Sequence, residues 1–220
     1  GHARAYRSLF ESRFGSFVPS VRLGIAARKE YSKGVKLDSS LYDLYLGLGT
    51  YHYWKSAKAG FLRWLGIFKN EIDKGITELY LAADSSIISR EAARSSLVWV
   101  WLDRKQYDST VIICEELLAV YPGGNVWLWP LAEALMELCQ YRRALETYQL
   151  LRSRLQIEPG NYCNLIECDY RTYRCLKKLN SINEARQVAR EVDAYLDSVP
   201  RSTQKKYRSQ IDLLKRVARL

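Results

Sequence analysis

At 220 residues, with 48% hydrophobic and 26% charged residues, the chain is long enough to bury a sizeable core and has the balance of an ordinary soluble globular protein. No segment approaches the run of about 18 apolar residues that crosses a bilayer, which excludes a membrane-spanning helix. Of the formal charge of +10, residues 201–220 supply +6 through seven Lys or Arg against one Asp, so the rest of the chain is only mildly basic.

The stretch "ARAYRSLF" reads as helix almost from the first residue, so the chain looks cut or processed at its start and any targeting signal is expected upstream of Gly1. A first unit near 8–41 closes with "AARKEYSKGVKLDSS", in which Ala27 and Tyr31 lie four apart on one helical face. "YDLYLGLGTYHYW", residues 42–54, opens the second unit, 42–90. Gly49 weakens this helix by about 1 kcal/mol relative to Ala, so packing has to outweigh propensity. A close helix–helix approach at Gly49, with Tyr45 and Leu48 filling the space beside it, explains why glycines and rings occur together. Next comes "SAKAGFLRWLGIFKN", about residues 56–70, too apolar for a free loop and expected to fold onto the helices as a plug. The alternative for this insert is an exposed partner or membrane-contact patch. "EIDKGITELYLAAD" then supplies the second helix of the unit.

From residue 91 the chain repeats itself. A shift of 34 residues superposes Leu97 on Leu131, Trp101 on Leu135, Tyr107 on Tyr141, Thr110 on Ala144, Cys114 on Tyr148 and Leu117 on Leu151. "VYPGG" separates the copies with residues that stop a helix. The units 91–124 and 125–159 thus read as helix pairs joined at "RKQYD" and "LCQYR". An irregular fifth unit, 160–200, contains Ala185 and Ala189 in "NEARQVARE". In 201–220, Tyr207, Ile211, Leu214 and Ala218 fall at helical spacing, so this basic helix is expected to cap the last core. The fold expected is all-α: a right-handed α–α superhelix of about five helix pairs over residues 1–200.

The motifs behind this expectation are "LDSSLYDLYLGLGTYHYW", "KGITELYLAAD", "REAARSSLVWVWLDRKQYD" and "YPGGNVWLWPLAEAL". In them the chain resembles a family of bacterial tetratricopeptide-repeat proteins with long, irregular units. Tyr45, Leu48, Gly49 and His52 follow the first-helix half of the repeat signature, and Ala27 and Tyr31 the second-helix half. The chain departs from the pattern at Ser39, where a Pro is expected, and at Gly75 and Thr110, where Ala is expected. The resemblance implies a cell-envelope or periplasmic location and lends no catalytic residues. The odd number of cysteines, five, favours instead free thiols in a reducing, cytoplasmic compartment.

Catalytic chemistry is sparse. The two histidines, His2 and His52, lie too far apart for a recognisable metal pair, and His52 occupies a packing position. Gly47 and Gly49 lack the third glycine of a dinucleotide fingerprint, for His52 stands in its place. Cys163, Cys168 and Cys175 have neither zinc nor redox spacing and read as small apolar fillers. No cofactor, metal or enzymatic activity is expected. A scaffold that binds a peptide or partner protein in the concave groove of the solenoid is the first functional expectation. Projecting the first helices places Asp43, Tyr53 and Trp54, then Trp99 and Asp103, then Trp129, Glu133 and Glu137 toward that groove. The competing reading, preferred for Trp99 and Trp129, is that several of these rings are core. Rings beside carboxylates suit a peptide with basic and apolar side chains. The alternative is a binder of nucleic acid or an anionic membrane surface through the basic C-terminal helix.

Overall fold

Apolar residues recur every three or four positions along most of the chain, and only helices bury such a pattern on one side. The computed structural model describes residues 1–58, 69–156 and 160–219, with Arg13 by its backbone alone. It is 83% helical, with no strand among the described residues. The helices are α1 (His2–Phe14), α2 (Phe17–Leu37), α3 (Asp43–Lys58), α4 (Ile72–Ser85), α5 (Arg90–Asp103), α6 (Tyr107–Val120), α7 (Asn125–Glu137), α8 (Tyr141–Leu155), α9 (Tyr162–Lys178), α10 (Ile182–Tyr195), α11 (Arg201–Lys206) and α12 (Arg208–Ala218). They divide into two compact units, Gly1–Arg104 and Lys105–Leu220. Within each unit most helices pack on their neighbours in the chain.

In the first unit, Ala27, Tyr31 and Leu48 form a core between α2 and α3, flanked by Ala5, Val35, Leu44 and Tyr45. The tightest contact is between α3 and α4. A Cβ on Gly49 would stand 2.7 Å from the Gly75 carbonyl oxygen, and one on Gly75 would stand 2.6 Å from the Tyr53 nitrogen. The two glycines therefore face each other where the backbones meet, and Gly75, at a position where Ala is expected, is half of that contact. Residues 56–58 of the expected insert complete α3, while 59–68 lie outside the described residues.

In the second unit the 34-residue repeat is visible as equivalent burial. Thr110 and Ala144, Cys114 and Tyr148, and Leu117 and Leu151 are all fully buried in both copies. The turns between successive helices repeat as well. Lys105 and Cys139, 34 residues apart, both have φ 59°, and Asn180 has φ 57°. Past Cys139 and Asn180, the amides of Gln140 and Ser181 return to the carbonyls of Leu135 and Leu176 at 2.9 Å. Such bonds satisfy helix-end acceptors that would otherwise be orphaned. The basic C-terminal stretch forms two helices, with a break at Tyr207, and α12 buries Ile211 and Leu214 where it packs on α10 and α9.

Candidate functional site

Trp54 and Lys58 sit one turn apart on α3, and Trp99 and Asp103 one turn apart on α5, so each pair shares a helix face. The Lys58 ammonium stands 5.0 Å from the Trp54 ring centroid and 3.3 Å from an Asp103 carboxylate oxygen. Tyr53 donates its hydroxyl to Asp103 at 2.8 Å, and its ring meets Trp54 edge-on at 5.0 Å. The structure thus brings Tyr53, Trp54 and Asp103 together. Tyr53 does not, however, face a groove. It is 1% exposed because α3 is covered by α5 as well as by α4. Burial, then the Asp103 carboxylate, push its phenol above the ordinary tyrosine range. Trp54 is half-buried, whereas Trp99 is 39% exposed on a helix whose Leu97, Val98 and Val100 are buried.

Asp43 has a different task. Its carboxylate accepts the backbone amides of Ile88 and Ser89 at 3.0 and 2.6 Å, capping the start of α5 across the unit. Against the desolvation that would raise it, the hydrogen bonds from Ser89 and then from Ile88 and Ile87 hold Asp43 below the usual carboxylate range. An oxygen engaged in this way is structural rather than open to a ligand.

In the second unit, Trp129, Glu133 and Glu137 lie along α7. Trp129 is half-buried and meets the buried Tyr148 edge-on at 6.2 Å. Glu133 is already neutralised, since the Arg171 guanidinium reaches its two oxygens at 2.7 and 2.8 Å and Tyr148 donates to it at 3.3 Å. Arg171 also binds Glu167 one turn earlier on α9. Glu137 is exposed, with the Tyr107 hydroxyl as hydrogen-bond partner. Burial, then the Glu137 and Glu133 carboxylates, raise the Tyr107 phenol. Within each unit, therefore, rings lie among paired charges rather than along an acidic strip. Lys58 in the first unit and Arg171 in the second, the cations of these pairs, escaped sequence reasoning. The spacing of Glu167 and Arg171 was a signal for one of them.

Two further titratable clusters have buried members. His52 Nδ1 lies 2.5 Å from Glu78 Oε2, both residues buried, with Lys74 at 3.9 Å from the same carboxylate. Among the described residues, no group of three His, Cys, Asp or Glu side chains is placed to hold a metal ion. A shallow cavity of about 420 Å³ opens between α8, α9 and α10, lined in part by Arg152, Thr172, Gln187 and Glu191. Behind Arg152, Asp169 is 0% exposed and accepts hydrogen bonds from Arg152 and, at 2.9 Å, from Tyr195, while Arg152 reaches Glu191 at 3.1 Å. This network ties three helices together and leaves Asp169 no open edge. Of the cysteines, Cys114, Cys168 and Cys175 are buried, Cys163 is half-buried and Cys139 exposed, all as free thiols. Compared with known proteins, the chain matches no family model, no curated protein and no solved structure.

Proposed function

We propose that the protein is a non-catalytic scaffold of the tetratricopeptide type, whose first-helix faces hold an extended peptide or a partner helix. The observation that carries this reading is Trp99: a large ring open to solvent, one turn from a carboxylate that is itself held by Lys58 and Tyr53. A ring beside a charge fixed by its neighbours can bury area without first ordering a flexible side chain, which is how Trp residues come to dominate binding energies. The internal setting of His52, Glu78 and Asp169 supports a role without turnover. Because Asp103 in the first unit and Glu133 in the second are each already paired, a partner of either unit is read as apolar with charges of both signs, and on the second unit Glu137 is the carboxylate left to attract a basic side chain. In titration calorimetry against a bound peptide, Trp99→Ala is expected to weaken affinity by about tenfold, or 1.4 kcal/mol, with an unchanged circular dichroism spectrum. Affinity indifferent to both Trp99→Ala and Glu137→Lys would end this reading.

A second reading has one observation in its favour. Helix α12 buries Ile211 and Leu214 and turns Arg208 and Arg216 outward, a basic face suited to nucleic acid or an anionic surface. It requires retention on a DNA duplex that falls steeply with salt and disappears in Arg208→Glu/Arg216→Glu. Salt-insensitive retention removes it.

A further inference from the structure

The first hairpin is built with its sizes reversed. Toward the turn, away from the His2–Tyr31 ring contact, the residues where α1 and α2 meet are small or polar. Ser8 Oγ donates to the Ser20 carbonyl at 2.8 Å and Ser20 Oγ to the Ser8 carbonyl at 2.9 Å, and a Cβ on Gly24 would meet Ser8 Oγ at 3.3 Å. The large apolar side chains are on the outside: Leu9, Phe10, Phe17 and Val18 are each at least 60% exposed, and Val21 and Ile25 continue the row along α2. Among the described residues no apolar side chain before Ala27 is buried. The part of α2 preceding Ala27 spans about 15 Å at 1.5 Å per residue, so the hairpin reaches well beyond the core that anchors it. Small and hydroxylated residues at the helix contact, with bulky apolar residues facing out, is the arrangement of helices packed in lipid rather than in water.

Charge points to the kind of lipid. Residues 1–30 hold six Lys or Arg against two Glu, and one of those carboxylates, Glu30, is bound to Arg4 at 3.0 Å. Arg7 and Arg22 are exposed beside the apolar row, one on each helix. A second copy of this face would bring like charges together, and a hairpin end bearing outward rings is a convex shape that a soft bilayer accommodates more readily than a preformed protein groove.

We propose that the outer half of the α1–α2 hairpin enters the interfacial zone of an anionic lipid bilayer. Leu9, Phe10, Phe17, Val18 and Val21 sink about 5–10 Å to the acyl boundary, and Arg7 and Arg22 remain among the phosphates. The proposal is independent of any peptide held near Trp99. The test is flotation of the whole chain with vesicles of phosphatidylcholine alone or mixed with phosphatidylglycerol. Flotation is expected with the mixed vesicles only, weakened by salt. It is expected to disappear in Phe10→Ser/Phe17→Ser, whose changes at exposed positions leave helicity intact. Arg7→Glu and Arg22→Glu are each expected to weaken it by roughly fivefold or more. Absence of flotation, or flotation undiminished by the Phe10→Ser/Phe17→Ser pair, overturns the proposal. So does a dimer in light scattering that the same pair disperses, which would assign the face to a second copy.

Discussion

Gly75→Ala is expected to destabilise the Gly1–Arg104 unit by about 2 kcal/mol, against the gain that helix propensity alone would give. Alanine within a helix is worth about 1 kcal/mol over glycine, so an exposed position would become more stable. Here the added methyl would stand 2.6 Å from the Tyr53 nitrogen, 2.9 Å from the Gly49 carbonyl oxygen and 3.0 Å from the Tyr53 Cα. All three are backbone atoms, and no rotamer change moves them. The helices α3 and α4 must separate, loosening Leu79, which lies against the same glycine pair. Overpacking of this kind costs about 1–3 kcal/mol, and rigid neighbours place the site at the upper end. Urea denaturation followed by circular dichroism checks the value. Gly123→Ala, where nothing lies within 4 Å of the added carbon, serves as the control and is expected to shift stability by less than about 0.5 kcal/mol. A stabilised Gly75→Ala variant would mean that α3 and α4 do not meet at these glycines.

Arg152→Leu is expected to cost about 3–5 kcal/mol at neutral pH, because it strands the Asp169 carboxylate in the interior with the Tyr195 hydroxyl as its remaining donor. Even with Arg152 in place, burial holds the Asp169 carboxyl above the usual range, the guanidinium and Tyr195 pulling it only part of the way back. A carboxyl raised on folding contributes stability that is full below its unfolded value, about 3.9, and is lost as pH rises through the folded value. Removing Arg152 raises the folded value further, which deepens that loss. The deficit of Arg152→Leu relative to the parent is therefore largest near pH 7 and shrinks as the solution is acidified and Asp169 takes up a proton. Adding Asp169→Asn to Arg152→Leu removes the stranded charge and is expected to recover most of the loss at neutral pH. A deficit that is the same at pH 4.5 and pH 7 would show that lost packing by the arginine stem, not the charge, sets the cost.

The all-helical class was legible because it rests on local periodicity, and the 34-residue shift was legible because equivalent positions keep their apolar character even where size changes. Leu117 and Leu151, or Cys114 and Tyr148, occupy the same place in successive helix pairs and are buried alike. Gly49 announced a close contact, but its partner did not announce itself. Gly75 looked like a departure from a pattern until the two backbones were seen to meet there. The same limit applies to the binding faces. Spacing on one helix placed Trp99 with Asp103, yet Lys58 lies 45 residues from Asp103 and Arg171 lies 38 from Glu133, and such pairs form only once helices are packed. Tyr53 shows the converse error. Periodicity gives a side chain its direction around its own helix, and it does not say which later helix will cover that direction. For α3 it was α5.

The unequal depth of the five thiols has a chemical consequence. Burial pushes Cys114 and Cys175 up to about 12 and raises Cys168 as well, so these sulfurs stay protonated and out of reach of oxidants. Cys139, by contrast, stands at the apex of a tight bend, accepting a hydrogen bond from Tyr141. Peroxide or an alkylating reagent will meet the molecule first there, on a bend that holds two helices at their ends. Injury of that kind would begin at the rim and leave the interior sulfurs intact.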